Sequence, residues 1–434
     1  MEIKLLRLGK KNYSDIARGS QKRRQEDKSI VDQTLILDNE WKKIKHKFDF
    51  SKGHLNKISK VIKNHKEVYV SCFIFNLLAF KKKILKIEKL AVFYEKKREK
   101  TIIQIGNIIH NCASFGNQGK NSRLDLSRKI IKKKAQNLLG HVELLEKIGA
   151  VEYEKGINIS GNRGYFLKGV GLLINNALIR YSLDFLIKKN FIALQTPFFM
   201  LKKLLMKCSQ LEDFKEQLYS LSEEENKFLI ATSEQPITCF HLNETLSKNR
   251  LPIKYVGFST CFRKESGSHG KDTSGIFRVH QFEKVEQFVI CTPENSLSWS
   301  YMEELLENVK DFYSSINIPY KIINISTEAL NNSASKKIDL LGFFPKSDTF
   351  KELVSCSNCT GFQSERLKIK TNLKRKNEEI TFPHMLNSTL CATSRVICCI
   401  AENYQTISGI IVPNVLRNYT GLSFVPFKKS SDPE

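Results

Sequence analysis

No stretch of this 434-residue chain supplies the roughly 20 consecutive apolar residues that a membrane-spanning helix needs. The longest apolar run, Val68 to Phe80, stops at about 13 residues, and Met1 to Lys10 holds neither an apolar h-region nor a small-residue cleavage site. The expectation is a soluble, cytoplasmic protein with no membrane partner. The cysteines number 11, an odd count scattered along a long chain, which excludes a small disulfide scaffold and points to reduced thiols. Cys356 and Cys359 form a C-x-x-C pair, but no second pair stands at zinc spacing, and Cys398 and Cys399 are adjacent within an apolar stretch. These read as small buried hydrophobes, and no structural zinc is expected. Also missing are G-x-x-x-x-G-K-[ST], a dinucleotide G-x-G-x-x-G after a strand, H-E-x-x-H and G-x-S-x-G. Lys57-Ile58-Ser59-Lys60 falls within a helical seam and is structural. Any nucleotide chemistry here needs another architecture.

Acidic residues are scarce: 45 Asp and Glu against 70 Lys and Arg leave a net charge of +25. Residues 1–110 hold 27 basic and 12 acidic side chains, so a quarter of the chain carries +15 of that excess. Such asymmetry fits a polyanion partner, because each cation that neutralises a phosphate releases condensed counterions; a Lys/Asn/Ile-rich composition is the alternative. With 41% hydrophobic and 26% charged residues, the chain can bury a substantial core.

The apolar residues Leu37, Trp41, Ile44, Phe48, Leu55, Ile58 and Ile62 advance in steps of three, four and seven, a coiled-coil seam with Ser51 polar. A second seam, less pure, runs through Ile84, Ile87, Ala91, Tyr94, Arg98, Ile102 and Ile105. Two helices of about 30–35 residues joined by a reversal make a hairpin roughly 45–50 Å long. Lys42, Lys43, Lys45, Lys47, Lys81, Lys82, Lys83, Lys96 and Lys97 fill its flanks. A dimerising coiled coil with a solvated charged face has the same pattern. Val68 to Phe80 lies where the turn belongs; it either extends the second helix or meets a partner. Residues 111–140 read as a polar linker with a basic patch from Arg128 to Lys134. Beyond His141, helical periodicity over Val170–Ile187 precedes short β-like runs at Phe228–Ala231, Tyr255–Cys261, Phe277–Phe282 and Val285–Ile290. That pattern predicts an α+β fold, an antiparallel sheet packed with helices.

The chemistry concentrates between Cys261 and Ile290: a strand ending in Arg263 and Glu265, a Gly-rich loop, and a return strand through Arg278, Phe282 and Glu286. Alternation places Arg263 and Glu265 on one face. An arginine there can grip a phosphate bidentately, a carboxylate can accept from an adenine amino group, and a phenylalanine offers a stacking face. A charged hairpin with cross-strand ion pairs is the bland alternative.

The match, however, extends well past a hairpin. Phe262-Arg-x-Glu-x-Gly, Asp272-Thr273, Gly275 and the run Arg278 to Glu286 resemble motif 2 of the seryl-tRNA synthetases, which are class II aminoacyl-tRNA synthetases. Arg18 to Arg24, Val31-Asp32 and Asp38-x-Glu40-Trp41 are similar to the start of that family's tRNA-binding arm. Gly161 to Leu167 resembles the beginning of its catalytic domain, Pro197 its motif 1 proline, and Thr232-Ser233-Glu234 its serine-binding loop. Glu352 to Asn358, His384 to Thr389, and Arg395 resemble its ATP-binding and motif 3 segments. The likeness runs from about Arg18 to Phe427. Departures are few. Val354 replaces a frequent Ser, although Glu-Leu-Val-Ser is similar to the eukaryotic cytosolic form. Gly361 and Glu365 depart at positions of local ion pairing, the hairpin tip is unusually apolar, and the residues up to Glu434 hold no lysine-rich run of the kind an interaction extension would bring, so none is expected.

The resemblance implies a class II sheet flanked by helices over residues 116–434, behind a tRNA-binding helical hairpin over residues 1–115. By position, Arg263 would hold the ATP α-phosphate, Arg395 the γ-phosphate end, Glu265 the adenine amino group, and Phe282 the ring. Lys264, Val279, His280, Gln281, Leu353 and Val354 would complete the ATP site, and Glu352 with Ser355 would hold Mg²⁺. Thr232, Ser233, Glu234, Glu286, Asn387 and Thr389, with Arg263, would surround L-serine. It also implies a homodimer charging tRNA(Ser). A non-catalytic paralogue, or a coiled-coil interaction protein with a vestigial domain, would have been free to lose Arg263, Glu265, Glu286, Glu352 or Arg395, and all five are present.

Overall fold

The computed structural model describes residues 3–7, 12–64, 70–113, 122–126, 138–208, 217–222, 226–265, 275–294, 296–372 and 381–428. The Gly-rich loop with Asp272-Thr273 and the basic patch Arg128 to Lys134 lie outside them. The chain divides into two compact units, Met1–Ile108 and Ile109–Glu434.

In the first unit, two long helices, α1 (Ser29–Asn64) and α2 (Val70–Ile103), pack along each other. Helix α1 begins where the Asp27 carboxylate accepts from the Ser29 backbone N–H at 2.8 Å and from its hydroxyl at 2.6 Å, satisfying a donor that has no intrahelical partner. At 36 and 34 residues the helices each run about 50 Å. Phe48, Ile84 and Ala91 are buried at the seam. From Val70 onward the apolar run belongs to α2, so it extends the second helix. Arg98, the polar intruder in the second seam, has a physical reason. Its Nη1 lies 3.0 Å from the buried Asp38 carboxylate, and its guanidinium carbon sits 4.3 Å from the centre of the Trp41 ring. Arg7 and Lys42 close on the same carboxylate, at 2.5 and 3.1 Å.

The second unit is built on an eight-stranded sheet: β1 (Ser122–Leu126), β2 (Ile192–Gln195), β3 (Ile253–Phe262), β4 (Gln281–Cys291), β5 (Tyr320–Asn324), β6 (Lys336–Phe344), β7 (Thr349–Asn358) and β8 (His384–Ala392). The spatial order is β1-β5-β6-β7-β8-β4-β3-β2, antiparallel throughout except for the parallel β2–β3 pair. Helices α3 (Val170–Ile187), α6 (Leu297–Ser315) and α7 (Thr393–Asn403) bury one face with Leu178, Phe312, Val289, Leu340 and Cys399. The short helices α4 (Lys202–Cys208) and α5 (Glu234–Thr238) help to cover the other with Leu205, Ile237, Tyr255 and Phe288. Among the described residues α3 alone is long and apolar enough to cross a membrane, yet Ile174, Ala177, Leu178 and Leu186 lie in this core.

The central strands therefore carry alternation that serves two cores: Val285 and Val289 point to one, Phe288 and Ile290 to the other. The hairpin differs from the sequence expectation at its open end. Strand β3 stops at Phe262 and β4 starts at Gln281, so Arg263 and Glu265 lie beyond the ladder and Phe277 to His280 are not strand. Glu265 takes a left-handed backbone, φ +50°, which turns the chain out of the sheet, and Arg163 Nη1 donates to its carbonyl at 3.1 Å.

Candidate active site

A cleft opens on the sheet where β3, β4, β7 and β8 lie side by side. Arg263, Glu265, Val279, Phe282, Glu352, Leu353, Ser355, Thr389 and Arg395, all singled out from sequence, line it. Phe277, Arg278 and Lys284 join them. The Arg263 guanidinium lies 5.2 Å from the Phe282 ring centre, and its Nε donates to the Ala231 carbonyl at 3.1 Å. Its peptide is fixed as well: the Arg263 N–H donates to the His280 carbonyl at 2.8 Å, and His280 Nδ1 lies 3.0 Å from the Arg263 carbonyl. Arg278 Nε sits 2.8 Å from the Glu265 carboxylate. Across the cleft Arg395, in the first turn of α7, donates to the Glu352 carbonyl at 3.1 Å and lies 3.3 Å from its carboxylate. Burial works against a charged Glu352, but Arg395, Lys337 and Arg263 outweigh it and hold its carboxyl below the usual range. Two arginines on opposite walls, held by backbone carbonyls, make a fixed receptor for a polyphosphate.

Beneath the cleft is a second, buried subsite, made because Lys284, Glu286 and Phe288 share one face of β4. Glu286 is 3% exposed. One of its oxygens accepts from the Thr232 hydroxyl at 2.6 Å, the Ser233 hydroxyl, and the Glu234 backbone N–H at 3.0 Å; the other lies 2.6 Å from Lys284 Nζ. Burial alone would raise its pKa, but Lys284 and these donors hold it below the usual carboxylate range. Glu234 is in the opposite condition. Burial and the nearby Glu286 push its carboxyl up to about 7, against the Gln363 amide that donates to it at 3.1 Å and the charges of Lys284 and Arg263. The pocket thus holds one carboxylate fully compensated and one short of positive charge, a condition that suits a cationic ligand. Thr389 stands opposite Glu286 in the β4–β8 ladder and Asn387 opposite Phe288, so both project on the same face.

Gly257, opposite Glu286 on β3, admits the 232–238 segment to this depth. A Cβ at residue 257 would meet the Ile237 side chain at 2.2 Å and the Ser233 hydroxyl at 3.4 Å.

The remaining predicted residues sit elsewhere. His280 and Gln281 line a neighbouring hollow with Arg163, Tyr165 and Tyr219, in which Phe282 also takes part. Val354 is buried in the helix-side core, because a register shift between Leu340 and Leu341 breaks the alternation around Glu352. Lys264 is held through its backbone N–H to the Gln217 carbonyl at 2.8 Å. Sequence reading missed Lys284, Gln363, Asp339 and Gly257. Lys284 was within reach, since it stands two residues from Glu286 on a strand. Asp339 and Gln363 carried no local signal. Asp339 lies across the β6–β7 pair from Ser355; burial first, and Glu352 after Lys337 is counted, push its carboxyl up to about 6.

A hard divalent cation is tested by its donor set. Glu352 and Ser355 offer oxygen ligands in the cleft, and a buried Asp339 oxygen stands without a hydrogen-bond partner behind them. These oxygen donors are of the type such an ion takes.

The comparisons agree with this arrangement. Residues 215–404 match the model of the tRNA synthetase class II core domain (G, H, P, S and T), and residues 1–109 that of the seryl-tRNA synthetase N-terminal domain. A cytoplasmic serine–tRNA ligase of Dictyostelium discoideum is 45% identical over 99% of this chain and 96% of its own. The crystal structure of a cytoplasmic serine–tRNA ligase from Naegleria fowleri with AMP is 42% identical, with a TM-score of 0.85 over 99% of both chains. A Pyrococcus horikoshii seryl-tRNA synthetase with ATP is 33% identical, with a TM-score of 0.87 over 99% of this chain and all of that one. With both family models and near full-length likeness on a site of this chemistry, the chain belongs to the seryl-tRNA synthetases.

Proposed function

We propose a division of labour among these residues in the family's reaction: the chain activates L-serine with ATP and passes it to the 3′ end of tRNA(Ser), in the cytoplasm like its named relatives. Phe282 stacks on the adenine while Glu265 accepts from its amino group. Arg263 holds the α-phosphate and Arg395 the γ-phosphate end. Glu352 and Ser355 hold Mg²⁺, which when bound neutralises phosphate charge. Serine sits in the buried subsite, its ammonium beside Glu234 and its hydroxyl within the Glu286, Asn387 and Thr389 group.

The serine carboxylate then attacks the α-phosphorus, forming a P–O bond as pyrophosphate leaves. A carboxylate nucleophile needs no general base, so Arg263 contributes by position and charge. In the second step the 3′-terminal ribose hydroxyl of tRNA(Ser) attacks the activated carbonyl and AMP leaves. Rejection of alanine follows from leaving buried hydrogen-bonding groups unpaired, a discrimination of up to about 10⁴. The observation that carries this reading is the adjacency of an arginine-walled cleft and a buried, cation-deficient carboxylate pocket sharing Arg263, Lys284 and Thr389.

The basic hairpin, residues 1–115, is the tRNA-binding domain, reading phosphates and shape at the elbow and long variable arm; residues 116–434 are the catalytic domain. The exposed Leu172, Leu173, Ile187, Ile192 and Phe199 on and around α3, beside Pro197, support a homodimer formed through that apolar face. ATP–pyrophosphate exchange with each amino acid in turn, without tRNA, tests the activation step. Stimulation by serine alone is expected, and no exchange with any amino acid would overturn it.

A further inference from the structure

Behind the serine pocket two thiols meet. Cys208 ends α4 and Cys239 caps the C-terminus of α5, the helix that opens with Glu234. Their sulfurs are 3.0 Å apart, although 31 residues separate them in sequence. Cys208 is 2% exposed and Cys239 is only half-buried. The pair is joined to the pocket by one side chain: Gln363 Nε2 lies 3.3 Å from the Cys208 carbonyl and 3.1 Å from the Glu234 carboxylate. Cys208 Sγ also lies 3.6 Å from the carbonyl of Gln235, the residue after Glu234. The wall that bears Glu234 therefore rests on a dithiol.

We propose that Cys208 and Cys239 are a reversible oxidation site, closing to a disulfide with peroxide and fixing the Glu234 wall of the serine pocket. The two sulfurs need to approach by only about 1 Å to reach bonding distance. Cys239, the more accessible thiol, meets the oxidant: its sulfur takes one peroxide oxygen as the O–O bond breaks, and one water leaves. The Cys208 sulfur then displaces that oxygen, the S–S bond forms, and a second water departs. The balance is two thiols and one hydrogen peroxide giving one disulfide and two waters. The hydrogen bond with Cys239 and then burial push the Cys208 thiol well above its usual range, so Cys208 is not the thiol that meets peroxide first; it gives up its proton to the departing oxygen as its sulfur, 3.0 Å away, forms the S–S bond. In the reduced protein α4 and α5 are joined by packing and by the hydrogen bonds of Cys208 and Gln363; oxidation adds a covalent link between them. Pre-organising a binding wall strengthens binding by lowering the ordering cost.

This rests on the reading that Glu234 faces serine, and the test separates the two. The full-length dimer is treated with hydrogen peroxide, its remaining thiols are alkylated, and peptides are mapped before and after dithiothreitol. A linked Cys208–Cys239 peptide that dithiothreitol reverses is expected. In parallel, pyrophosphate exchange is measured for reduced and oxidised wild type, Cys208→Ser and Cys239→Ser. Serine KM is expected to fall about two- to threefold on oxidation of wild type, with ATP KM unchanged and neither serine variant responding. Oxidation of the exposed Cys112 without a 208–239 link would overturn the site. A link with unchanged serine KM would overturn its control of the pocket. Absence of serine-dependent exchange in the reduced wild type would instead sink the serine reading, whatever the thiols do.

Discussion

Each unit draws a carboxylate in from solvent, and the two are treated in opposite ways. In the helical hairpin Asp38 is 1% exposed and is surrounded by Arg7, Lys42 and Arg98; burial opposes its charge, but these partners hold its carboxyl down to about 2. In the second unit burial first, and then nearby Glu286, push Glu234 up to about 7, and the nearby cation Lys284 sits 2.6 Å from Glu286 instead. A carboxylate with its charge met has a structural task. One left short of a cation stands where a ligand completes the set. The contrast lies in the counter-charge: Asp38, the more buried of the two, is fully met, and half-buried Glu234 is not.

Five experiments break or sharpen that contrast. Arg263→Ala should have the largest effect, lowering serine-dependent pyrophosphate exchange by about 10³-fold or more while the fold persists, as checked by circular dichroism. Removing residues 30–105 should abolish tRNA charging and spare exchange; charging that survives would detach the hairpin from tRNA. Asp38→Ala leaves Arg98 buried without its counter-charge and should cost the hairpin about 3 kcal/mol in denaturant unfolding. Its exchange activity should stay unchanged. The wild-type hairpin should also weaken in acid. With the folded pKa below the unfolded one, the stabilisation is present above about pH 4 and fades as pH falls toward 2. The smallest effect belongs to Glu234, whose raised pKa makes it partly neutral near pH 7. Serine KM should fall as pH rises through about 7, and Glu234→Gln should flatten that dependence. An unchanged profile in the variant would remove the ammonium contact.

Much of this was legible from the sequence because it is local. The heptad seams gave both hairpin helices, Val170–Ile187 was readable as a helix to its ends, and the motif spacings brought Arg263, Glu265, Glu352, Thr389 and Arg395 to one cleft. What escaped depended on how distant strands register. Asp339 reaches Ser355 only through the β6–β7 ladder, and Gln363 reaches Glu234 across 129 residues. The register shift at Leu341 sends Val354 into the core although it follows Glu352 by two, which simple alternation does not anticipate.

Gly257 has a consequence for how this enzyme can change. A Cβ at residue 257 would meet the Ile237 δ-methyl first and the Ser233 hydroxyl only at 3.4 Å, with no backbone atom among its nearest neighbours. The first response to a small side chain there is therefore a turn of the Ile237 methyl within its own core. Ile237 thus stands as a buffer between residue 257 and the serine pocket, and changes at the two positions should be felt together rather than one at a time.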